Sequence, residues 1–156
     1  MTQMIFVPMT RNEAQALRAG TGTNHYRACA ATPSLAASME AGTTREEVEY
    51  AALSNAGVLA LVLRPNAPRL VVAAEVQDEQ VREVGGPHGE VEVGSLAWAQ
   101  VRALFADEPS ALEAVQLASK VVAGQGVGAA LAAPEVVAVL DEHDLLWFSP
   151  EELDQL

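Results

Sequence analysis

The chain has 156 residues, 50% of them hydrophobic, 19% charged and 4% aromatic. That length and apolar content suit one globular domain and exclude disordered, collagen-like and low-complexity chains. The net charge of −12 is lopsided, with 6 basic and 7 acidic side chains in residues 1–78 against 3 and 14 in residues 79–156; such a surface repels phosphate, which argues against nucleic acid and anionic membranes as partners.

Ile5-Phe6-Val7, ending at Pro8, reads as an opening strand. Thr10 stands three residues before Glu13, the spacing of a capping box, and the helix it starts runs through Ala14 and Leu17 to Gly20. Thr21–Asn24 is turn-like, Tyr26–Ala31 suits a strand, and Pro33 opens a short helical segment around Leu35–Met39. The clearest element follows. Thr43 and Thr44 each have a glutamate three residues on (Glu46, Glu47), and Val48, Ala52, Ala56, Leu59 and Leu63 recur at helical spacing, predicting a long helix over 44–63 with one apolar face. Arg64-Pro65 ends it, and Pro65–Pro68 is a turn.

Leu70–Val76 is a nearly continuous apolar run, expected as a strand buried on both faces. Gly85-Gly86-Pro87 turns the chain into Glu90-Val91-Glu92-Val93, whose period-two alternation suits an edge or half-exposed strand. Trp98–Phe105 permits helix or strand and is read as strand. Pro109 opens a helix through Leu112, Val115, Leu117 and Val122 that Gly124 closes. Pro134–Asp141 is short and of undecided type, Leu145–Phe148 reads as the last strand, and Ser149–Glu152 starts a final helical turn. The pattern predicts a single α+β domain over 1–156: a mixed sheet of five to six strands covered by helices, with helix 44–63 as the main cover.

The single Cys29 lies in an apolar stretch and is expected to be a buried, inert thiol. The segment 121–140 carries one charge, Glu135, over 20 residues, but its Ala/Gly content, Gln125 and Pro134 make it a poor membrane span. With no apparent signal peptide, a cytoplasmic protein is expected.

Few strings suggest chemistry. Gly124-Gln125-Gly126-Val127-Gly128-Ala129 fits a dinucleotide fingerprint, with Asp141 near the position of the ribose-binding acid. Pro134, however, shortens the following helix below what a crossover needs, so a Gly-rich connection is preferred. Asp141-Glu142-His143-Asp144 offers ligand types for a divalent cation, but neighbouring residues do not converge without a sharp turn; a solvated turn is preferred and no metal is assigned. Nucleophile elbow, P-loop, H-E-x-x-H and C-x-x-C patterns are absent. No catalytic residue or cofactor is assigned.

Five stretches taken in order are Phe6-Val7-Pro8, Ala31-Thr32-Pro33, Glu46-Glu47-Val48-Glu49-Tyr50-Ala51, Val71–Val76 and His143-Asp144-Leu145-Leu146-Trp147-Phe148. With them the chain resembles a family of small uncharacterised actinobacterial proteins, a domain of unknown function. The resemblance implies no activity but singles out Glu49, Tyr50, His143 and Trp147. Two readings follow. The first is a non-enzymatic domain that binds an unknown protein partner or itself, with Trp147 and Phe148 at the centre of an acid-rimmed surface. The alternative is a small-molecule or nucleotide binder, or an enzyme, whose pocket between helix 44–63 and the last strand uses Glu49, Tyr50 and His143.

Overall fold

Seven strands form one sheet: β1 (Thr2–Pro8), β2 (Tyr26–Ala30), β3 (Leu70–Gln77), β4 (Val81–Glu83), β5 (Glu90–Val93), β6 (Val101–Ala106) and β7 (Leu146–Phe148). Their spatial order is β4-β5-β2-β1-β3-β6-β7, and every neighbouring pair is antiparallel. The computed structural model describes residues 1–156. The α+β class is as expected, but the sheet is larger and wholly antiparallel rather than mixed. The missed strand is β4, three residues long and identifiable mainly through its hairpin with β5 across Gly85 and Gly86.

Because side chains alternate along a strand, each strand feeds two cores. Phe6, Cys29, Val71 and Ala73 face one side, where α2 (Pro33–Ala37), α3 (Arg45–Leu63), α4 (Leu112–Val122), α5 (Val127–Leu131) and α6 (Pro134–Glu142) cover them. Ile5, Val7, Val72, Ala74 and Leu104 face the other side, under α1 (Arg11–Arg18) and a 3-10 segment at Pro150–Gln155 that inserts Leu153.

The main cover, α3, begins as its caps dictate: the Thr44 hydroxyl accepts from the Glu47 N–H at 3.2 Å, and the Glu47 carboxylate accepts from the Thr44 N–H at 3.4 Å. The expected single apolar stripe holds only for its first half. From Ala56 to Val62 every residue is buried, because α4 and α5 flank the helix while the sheet lies beneath it. Leu59, fully buried there, is worth about 2–5 kcal/mol against alanine.

Other expectations shift by a few residues. Trp98–Gln100 is a 3-10 turn and the strand begins at Val101. Glu90–Val93 is half-exposed as its alternation demands, yet it is an interior strand, since β4 pairs on its outer side. Pro134–Glu142 is helical. No helix is long and apolar enough to cross a membrane.

Candidate functional site

The register of β3 against β6 sets Leu70 opposite Ala106, so the residues just before one strand and just after the other, Arg69 and Asp107, become neighbours. Arg69 Nε and Nη2 donate to Asp107 Oδ1 at 3.0 and 2.6 Å, and the Arg69 backbone N–H donates to Oδ2 at 2.8 Å. Both side chains are 2% exposed. Charge-assisted forks of this kind are geometrically demanding and hold their partners rigidly. The same Nη2 also donates to the His143 carbonyl at 2.9 Å, tying down the chain where it leaves α6 for β7.

His143 caps α6 through its N–H to the Val139 carbonyl, and its Nδ1 lies 3.3 Å from Glu108 Oε1. That hydrogen bond, with a second from Ser110, holds the Glu108 carboxyl below its ordinary pKa. Between this turn and α3 lies a small cavity of about 70 Å³, lined by Tyr50, Leu53 and Ser54 of α3, by Arg69, and by Leu140, His143, Asp144 and Leu145.

The residues singled out by sequence therefore separate. Tyr50 and His143 meet at this cavity, between α3 and the approach to the last strand. Glu49 does not join them: one residue along a helix turns away by about 100°, and Glu49 lines a wide open groove of about 690 Å³ with Arg45, Glu75, Asp78 and Glu83. Trp147 and Phe148, adjacent in a strand, point to opposite faces. Trp147 pairs with Phe105 and is 61% exposed, whereas Phe148 pairs with Leu104 and packs against the second core. Both cannot centre one surface.

Val121-Val122 closes α4, and Gly124–Gly126 links it to α5, so the glycine string joins two helices and has no strand before it. Gly124, at φ +76°, is the third residue of a type II turn over 122–125 that the Gln125 N–H closes by donating to the Val122 carbonyl at 2.9 Å. No three His, Cys, Asp or Glu side chains converge closely enough to hold a metal ion, which includes the 141–144 cluster. Cys29 is fully buried, and desolvation, reinforced by Glu90, pushes its thiol up to about 12.

A family model spans nearly the whole chain. The chain belongs to the DUF6912 family. The match covers residues 4–156, and the family is described as one of unknown function. No curated protein and no solved structure matches. In this family member the fork of Arg69 and Asp107 went unread in the sequence, where an arginine after a Pro-rich turn and an aspartate before Glu108-Pro109 look like ordinary surface charges. The signal that finds them is positional: opposite charges flank two apolar strands whose antiparallel pairing brings the flanks together.

Proposed function

We propose that this domain is a protein-binding module whose β7 edge takes up an extended, basic segment of a partner. The observation that carries the reading is Trp147, 61% exposed on a strand paired on one side only. An unpaired edge offers backbone donors and acceptors to an added strand, and alternate side chains of that strand confer specificity. An exposed indole adds an anchor, which gains further when a guanidinium or ammonium stacks on it.

Charge selects the occupant. From Glu135 to Leu156 the chain carries seven carboxylates and no Lys or Arg, and Asp141, Glu142, Asp144 and Glu151 are exposed around the strand in sequence. Asp154 is engaged by Arg18 at 2.7 Å, so it contributes less. A second copy would bring the same negative sector to the edge, and like charges facing one another disfavour that pairing.

Fluorescence titration of the full chain with an alternating Arg-Val octapeptide, and with its Glu-Val counterpart, tests the proposal. The basic peptide is expected to perturb tryptophan emission with an affinity that falls as salt rises, because exposed charges are screened within about 10 Å at 0.1 M. Trp147→Ser should abolish binding and leave thermal stability unchanged. Equal response to both peptides, no response at low salt, or a salt-resistant dimer lost in Trp147→Ser would overturn it.

A further inference from the structure

Helix α4 leaves one face without a neighbour. Val115, Ala118, Ser119 and Val122 are buried in the core, which turns the opposite side of the helix to solvent. At about 100° per residue, Glu113, Leu117, Lys120 and Val121 share a sector of about 100° on that side, with Ala114 at its margin. Leu117 is 57% exposed and Val121 42%, and side chains four apart on a helix are neighbours.

The charges on this face stand out against their setting. Lys120 is the one basic residue between Arg102 and Leu156, in a stretch rich in carboxylates. Eight ion pairs form within the chain, and neither Lys120 nor Glu113 takes part in any of them. Glu113 in the first turn and Lys120 in the last both suit the helix dipole, but the dipole does not care where around the helix they stand. Their spacing does something more. Seven residues are almost two full turns, so both charges lie on the same flank of Leu117.

We infer that α4 is the contact helix of a symmetric homodimer, in which the α4 helices of two copies pack antiparallel about a two-fold axis between residues 116 and 117. Such an axis reverses the helix direction and keeps each flank against the same flank of the second copy. Glu113 of each copy then meets Lys120 of the other on one flank, and Val121 meets Ala114 on the opposite flank. Leu117 meets its own equivalent at the centre. The stripe is its own complement in charge and in apolarity, which selects a second copy of this chain as the occupant. The helix is about 16 Å long, so the contact falls below the roughly 800 Å² per partner of a standard interface, and the dimer is weak and concentration-dependent.

Sedimentation velocity of the full chain, from about 10 μM to about 1 mM, reads the assembly state. Salt at about 0.15 M screens the repulsion between two chains of net charge −12 beyond about 8 Å. A monomer–dimer equilibrium is expected. Leu117→Gln, a good helix former at an exposed position, should weaken it about tenfold or more with the melting temperature of the dilute protein unchanged. Glu113→Lys and Lys120→Glu should each weaken it about tenfold or more, because like charges then face one another. Mixing these two variants should restore dimerisation as a heterodimer, since both cross-pairs become attractive again. Trp147→Ser should leave the dimer intact, which separates this inference from the reading of the β7 edge. A monomer throughout the range, a dimer indifferent to Leu117→Gln or lost in Trp147→Ser, or a mixture no more dimeric than its separate variants would each overturn it.

Discussion

Removing either member of the Arg69–Asp107 fork tests whether it holds the sheet to the α6–β7 turn. Asp107→Ala leaves a guanidinium, in a residue 3% exposed, with no counterion; breaking a buried pair from one side costs about 3–5 kcal/mol. Arg69→Met strands the carboxylate and costs a similar amount. The double replacement Arg69→Met with Asp107→Leu removes both charges. What remains is the backbone N–H of residue 69, which had donated to Oδ2 at 2.8 Å, and the His143 carbonyl, which had accepted from Nη2 at 2.9 Å. At about 1–3 kcal/mol for each orphaned group, the double variant loses about 2–6 kcal/mol, against about 6–10 if the single costs added. Urea denaturation followed by far-UV circular dichroism reads these values, and a drop of 3–5 kcal/mol corresponds to about 6–20 °C in Tm for a domain of this size. Total stability is about 5–15 kcal/mol, so Asp107→Asn, which retains an acceptor for the residue-69 N–H, serves as the milder single variant. Additivity within about 0.5 kcal/mol would refute the reasoning, since it would mean that the two side chains do not depend on each other.

Three further outcomes are expected. Ser119 is fully buried in α4 with an unpartnered hydroxyl, so Ser119→Ala should raise stability by about 1 kcal/mol in the same urea assay. Cys29, with its thiol pushed up to about 12 by burial, should resist alkylation in the native state near pH 8 and react at the rate of unfolding; fast labelling of folded protein would contradict its placement. Burial pushes Glu13 up, but hydrogen bonds from Arg64 and Thr10 outweigh it and leave its pKa lowered; the contribution is therefore present above the ordinary carboxylate pKa and lost as pH falls through the depressed folded value. Glu13→Gln should accordingly flatten the fall in urea midpoint from about pH 5 to pH 3 relative to the parent chain.

Local chemistry made much of the fold readable. Thr10 with Glu13 and Thr44 with Glu47 each form the capping box that their spacing announces. The run Leu70–Val76 becomes an interior strand because Leu70–Ala74 are apolar and buried on both faces, with Glu75 alone reaching solvent. Strand partners were another matter. β-branched runs specify extended backbone but not direction, so the parallel or antiparallel choice awaited the topology, and β4 exists through its partner across Gly85 and Gly86. Helix amphipathicity misled for the same reason. The all-round burial of Ala56–Val62 follows from α4 and α5 arriving at its flanks, a tertiary event absent from α3's own periodicity.

The candidate sites divide along the same line. Trp147 stood out because its residue type and acidic setting are properties of one segment. Its separation from Phe148 follows from period two alone, since adjacent residues of a strand lie on opposite faces. The cavity could not be assembled that way. Its polar lining comes from α3, from the residue before β3 and from the turn after α6, with the residue after β6 anchoring Arg69 from behind; these segments converge through sheet register and helix packing. Arg69 is the residue that links them, since one guanidinium meets Asp107, the His143 carbonyl and the cavity at once. Its burial is what turns an ordinary charge into an informative one, because a guanidinium taken out of solvent must be matched by a counterion, here Asp107. Structure adds the ion pair through burial and register, properties that no local stretch of this chain declares.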